Sequence, residues 1–130
     1  MQKDEHFGIQ NLTKGKLPRL PFRNMKNAVL GHNYTLSVAI IGNALSRKLN
    51  ARRGKNEPTD ILSFPLDKTH GEIFLNLTIA KKRALDFGQT FKNFVGYLFI
   101  HGLVHLKGLD HGSTMERIER DIRNEFNIQG

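Results

Sequence analysis

The sequence contains no cysteine. That absence excludes disulfide staples, iron–sulfur clusters, cysteine-containing zinc sites and a thiol nucleophile, so any metal must be held by imidazole and by carboxylate or carbonyl oxygen. It is compatible with a reducing compartment. Long apolar runs are missing as well. The first thirty residues hold no unbroken apolar segment of the kind that opens an export signal. The longest apolar run, Phe94 to Leu106, is interrupted by two histidines and is too short to span a bilayer. The expectation is a soluble, unprocessed, cytoplasmic chain with no membrane-spanning segment. N-x-T triplets at Asn11, Asn33 and Asn76 then carry no weight as glycosylation sites. No repeat, low-complexity tract or linker divides the 130 residues, and 1–130 read as one domain.

What is present is an ordinary globular composition, 38% hydrophobic and 25% charged, which argues for a packed core rather than disorder. Acidic groups are the scarce charge: 12 Asp and Glu stand against 20 Lys and Arg, a net +8 with histidine neutral. Such a surplus concentrates phosphate and gains from counterion release, so a polyanion is the default partner. Nucleic acid and an anionic membrane both fit that description, as does a basic surface that merely keeps the chain soluble.

Residues 7–12 and 34–42 read as strands by their β-branched and aromatic content, with a basic helical stretch from Arg19 to Leu30 between them. A short helix from Asn43 to Arg52 is closed by Gly54. The turn-like segment 53–60 leads into strands at 61–66 and 72–77, whose five-residue link suggests a hairpin. Helices follow at Thr78–Phe87 and at Thr90–Lys107. Ser113 and Glu116 form a capping box before a last helix with an apolar stripe at Met115, Ile118, Ile122 and Phe126. About four strands and about five helices give an α/β class bordering on α+β, three layers built on one sheet.

The stretch HGLVHLKGLDH, residues 101–111, carries the chemistry. His101 and His105 are four apart on an apolar helix, so their rings project from one face at a spacing that suits one ion. Gly108 is able to take the left-handed conformation that stops the helix and lets the chain bring His111 to the same point. Three imidazoles with an open fourth position describe a catalytic zinc site on a zincin-like helix, one Zn2+ per chain. A histidine on an apolar helix is more often a hydrogen-bonded core residue, but three in this spacing with the glycine in place favour the metal.

Zinc peptidases with this H-x-x-x-H-x-x-G-x-x-H spacing carry Glu directly after the first His, as general base. Here that position is Gly102. A protease reading then needs another acid, such as Asp110, for which the plainer role is to orient an imidazole from outside the metal's first ligands. A metal at such a site acidifies its bound water and polarises a bound oxygen, which suits an ester or a phosphodiester, and the basic charge favours the latter. Arg52, Arg53 and Lys55 lie in a turn just before a strand, where a guanidinium is placed to clamp a phosphate, if the cluster is more than a solvated loop. His70, in a turn, is a weaker candidate for contacting a nucleic acid.

Residues 101–111 closely resemble the signature H-G-x-L-H-L-x-G-Y-D-H of the YbeY endoribonuclease family. RGKNEPTDILSFP (53–65) resembles that family's second block, R-G-x-x-x-P-T-[DN]-V-L-S-F-P, and GEIF (71–74) resembles its G-[DE]-I strand, so three motifs occur in the family's order. Val104 stands where Leu is usual and Leu109 where Tyr is usual. The first fifty residues match only in their strand–helix–strand layout. The resemblance implies a single-strand-specific, zinc-dependent endoribonuclease that matures the 3′ end of small-subunit (16S) ribosomal RNA and takes part in ribosome quality control. It implies His101, His105 and His111 as zinc ligands and Arg53 as the important basic residue, placed on a phosphate. The implied fold is α/β, one mixed sheet covered by helices, with zinc at the mouth of a basic cleft. Implied partners are ribosomal RNA, the small subunit and its assembly proteins. A competing class is a ribosome-assembly RNA-binding factor whose three-His metal is mainly structural; a metalloprotease is the third reading.

Overall fold

The computed structural model describes residues 4–108 and 112–130. Among these the chain order is β1 (Phe7–Asn11), α1 (Phe22–Leu30), β2 (Thr35–Ile41), α2 (Asn43–Ala51), β3 (Ile61–Asp67), β4 (His70–Asn76), α3 (Leu77–Asp86), α4 (Phe91–Leu106) and α5 (Ser113–Glu125). The strands form one sheet in the order β1-β2-β4-β3. β1, β2 and β4 are mutually parallel where they pair, and β3 runs antiparallel to β4 at the edge. The class is therefore mixed α/β, as expected.

Alternation along the strands divides the interior in two. Leu36, Val38 and Ile40 of β2 and Ile73 and Leu75 of β4 pack toward α4, whose Val95, Phe99, Ile100, Leu103 and Val104 are fully buried. The opposite sheet face gathers Ile41, Leu62, Phe64 and Phe74 under Leu49 of α2. α4 is apolar nearly all round because it lies between the sheet and the helices α1, α3 and α5. Phe22 meets Phe99 edge-to-face at 5.0 Å, tying α1 to it.

Several boundaries differ from the sequence reading for local reasons. α1 begins at Phe22 rather than Arg19, since residues preceding Pro18 and Pro21 are kept out of the helical region. The β3–β4 link is two residues, not five. Asp67 Oδ1 accepts the Thr69 amide at 2.8 Å and folds the turn, so His70 and Gly71 already belong to β4. His70 is held there by Asp67 Oδ1 at 2.9 Å and Thr69 Oγ1 at 3.0 Å. Pro65 is tolerated because β3 is an edge strand, with a register shift before Asp67. α3 is capped by Asn76, whose Oδ1 accepts from Thr78 and Ile79. The capping box before α5 does not form: Gly112 occupies the cap position without a side-chain bond, and Ser113 is already helical. The apolar stripe of α5 does pack on the core, with Met115 buried and Ile118, Ile122 and Phe126 partly so. Among the described residues no helix is long and apolar enough to cross a membrane.

Candidate active site

α4 is started by Thr90, whose Oγ1 accepts from the Asn93 amide, and is stopped where Gly108 adopts φ +88°. Between these ends the four-residue spacing puts His101 and His105 on one face. Their rings are 4.5 Å apart and nearly perpendicular, and the two Nε2 atoms converge to 3.0 Å. His101 Nδ1 lies 2.6 Å from Oε1 of Glu119 on α5. That carboxylate accepts from Nδ1–H, which fixes the tautomer and turns the Nε2 lone pair toward Nε2 of His105. Glu119 is only 7% exposed, and Arg123 Nη1 is 3.7 Å from its other oxygen.

The two described imidazoles are spaced as two ligands of one zinc ion would be. Nitrogens at two corners of a tetrahedron with Zn–N of about 2.0–2.1 Å are about 3.3 Å apart, close to the spacing of the two Nε2 atoms. The third expected ligand, His111, and the expected orienting acid, Asp110, lie outside the described residues. Among the described residues no group of three or more His, Asp or Glu is placed to hold a metal. Orientation of His101 falls to Glu119, which the sequence reading missed. Its signal is a carboxylate set into the apolar stripe of α5, next to Ile118 and one turn after Met115.

The histidines sit in a cleft of about 730 Å³ between α4 and the β3 edge, which Arg53, Ser63, Arg83 and Tyr97 also line. Arg53 thus shares the cleft with the histidines although it lies 48 positions before His101. Arg52 and Lys55 are exposed in the same turn but are not among the lining residues. Gly102 has a packing reason for carrying no side chain. A Cβ there would meet Ser63 Oγ at 2.8 Å and Ile61 Cδ1 at 2.9 Å on β3, and Ile73 Cδ1 at 3.3 Å on β4. The position that peptidases give to their glutamate is here pressed against the sheet.

The profile of the family described as endoribonuclease YbeY matches residues 6–127. The chain belongs to that family. An endoribonuclease YbeY from Petrotoga mobilis is 31% identical over 124 residues, covering 93% of this chain and 84% of the relative. Another YbeY, from a Sulfurihydrogenibium species, is 36% identical over 106 residues, covering 75% of this chain and 67% of the relative. The solution structure of a Thermotoga maritima protein superposes with a TM-score of 0.64 at 23% identity, covering 93% of this chain and 91% of that one, and supports the fold. The YbeY match spans the β3 edge, the cleft and all of α4.

Proposed function

We propose that this chain is a single-domain, metal-dependent endoribonuclease that cuts single-stranded RNA in 16S ribosomal RNA 3′-end maturation and ribosome quality control. Its family membership supports the reaction class, and the observation that carries the site is the meeting of the paired Nε2 atoms with Arg53 in one cleft. His101, His105 and His111 would hold one zinc. Bound there, zinc supplies Lewis acidity toward the scissile phosphate and lowers the pKa of water. Arg53 grips that phosphate, whose geometry a guanidinium fork matches, and stabilises the charge that grows on it. Glu119 keeps His101 oriented, a positioning role; Asp110 is proposed to do the same for a neighbouring imidazole. Arg52 and Lys55, exposed beside Arg53, draw the RNA strand in. The partners of this reading are the small subunit and its assembly proteins, in the cytoplasm.

The test is cleavage of single-stranded RNA by purified protein, with and without zinc, beside folded His101→Ala and Arg53→Ala variants. Both variants and metal removal are expected to abolish cleavage, and activity is expected to fall as salt rises. Cleavage that survives loss of metal and of Arg53 refutes the mechanism. A second reading, an RNA-binding assembly factor with a structural metal, is favoured by Gly102, which puts no general base at the position directly after the first histidine. It predicts RNA binding without turnover and a large loss of thermal stability on chelation. The metalloprotease reading has no base at position 102, and metal-replete protein is expected to turn over no peptide.

A further inference from the structure

A second guanidinium lines the cleft and has no role in the mechanism above. Arg83, on α3, shares the wall with Arg53 and the histidines. Its Nη1 donates to Oδ2 of Asp60, the residue just before β3. The Asp60 side chain is 4% exposed and that of Arg83 is 44% exposed, so the anchor is internal while the cation stays open to solvent. Asp60 also accepts from Thr59 Oγ1 at 3.4 Å. The Arg83 guanidinium lies 5.5 Å from the centre of the Phe87 ring and 5.7 Å from that of Phe94. One carboxylate and two rings thus restrict how it swings.

A guanidinium carries five N–H donors in one plane. Only Nη1 is engaged by the buried carboxylate, which leaves donors for an anion arriving from solvent. Asp60 is the sole carboxylate among the described residues lining the cleft, against two guanidinium groups. Its side chain is buried while that of Arg83 is half open, so of this pair it is the cation that a ligand from solvent reaches. A charge held this way has already lost much of its rotamer freedom, and it binds at a smaller entropic cost than a surface lysine.

We propose that Arg83, braced by Asp60, forms a second phosphate subsite, which grips a backbone phosphate of the single-stranded RNA other than the one Arg53 positions. This rests on the RNA-cleaving reading of the cleft. Two separated grips fix the strand's path past the histidines. A strand held at one phosphate is free to pivot.

The test is binding of a fluorescent single-stranded RNA oligomer, followed by anisotropy between about 50 and 200 mM salt in a non-cleaving His101→Ala background. Arg83→Gln is expected to flatten the log–log salt dependence by about 0.7, one phosphate contact on a single strand. Arg83→Lys, which keeps the charge, is expected to retain that slope. In the otherwise intact enzyme, Arg83→Gln is expected to raise KM about tenfold and leave kcat within about twofold. Because Arg83→Gln strands a buried carboxylate, the Asp60→Asn/Arg83→Gln double variant is run beside it and is expected to show the same slope. Lys14→Gln makes the same charge change just past β1, at the opposite sheet edge, and is expected to leave KM unchanged. If the folded single or double variant keeps the parental slope and KM while the parent binds and cuts RNA, Arg83 is only a structural staple and the inference falls alone. If the parent neither binds nor cuts single-stranded RNA, this inference falls together with the function it rests on.

Discussion

Replacing Glu119 should weaken zinc binding without touching a ligand. The carboxylate lies 2.6 Å from His101 Nδ1 at a site where Glu119 is 7% exposed, so water competes poorly for the bond. A hydrogen bond to a charged group is worth about 1.5–3 kcal/mol, or roughly 10- to 150-fold in an equilibrium constant. Loss of a carboxylate behind a metal-binding histidine costs about 10- to 100-fold in affinity, the same range. Glu119→Gln keeps a carbonyl acceptor and loses the charge, so it should fall near the tenfold end. Glu119→Ala also loses the acceptor and should approach about a hundredfold. Competition with a chromogenic chelator at fixed pH reads the zinc Kd directly, with circular dichroism confirming that each variant is folded. If both variants stay within about twofold of the parent while His105→Ala loses zinc, Glu119 does not position His101 and the reasoning fails. A parent protein that takes up no zinc refutes it as well.

Gly102→Glu should gain no peptidase activity and should lose about 1–3 kcal/mol of stability in urea unfolding, because its Cβ would meet the side-chain ends of Ser63 and Ile61 and force them to shift. A folded, fully stable variant would contradict that packing. Tyr34→Phe should be neutral or raise stability by up to about 1 kcal/mol, since the buried Tyr34 hydroxyl has no hydrogen-bond partner among the described residues; a loss larger than that in thermal unfolding overturns the prediction. Burial also raises the pKa of Tyr34, so the folded state holds this proton more tightly than the unfolded chain does. The parent should therefore lose stability as pH rises past the ordinary tyrosine value, and this part of the loss should vanish in Tyr34→Phe. At the β3–β4 turn the Thr69 amide, and then His70, hold the Asp67 carboxyl below its ordinary value of 3.8. The turn's stabilisation is thus present above that value and lost as pH falls through the lowered one, which NMR should show as declining protection of the Thr69 amide, a decline absent in Asp67→Asn.

The sequence by itself determined what depends on local spacing. The i, i+4 histidines need only a helix to share a face, and Gly108 needs only its freedom to reach φ +88° to end that helix. The β-branched and aromatic content of 34–42 and 72–77 was enough to read both as strands, and the three motifs in order named the family. Local signals misled where a side chain of the turn itself competed, as when Asp67 shortened the hairpin link, or where a neighbouring glycine took the cap from Ser113. Only the tertiary structure decided which distant residues meet. Glu119 reaches His101 because α5 packs back on α4, and Arg83 reaches Asp60 because α3 follows β4, which ends beside the start of β3. No periodicity links residues 18 or 23 positions apart in different elements, since such contacts follow from how helices and strands pack. The same holds for Gly102: its spacing exposes a missing base, and only the close approach of α4 to β3 shows that a side chain there must displace Ser63 and Ile61.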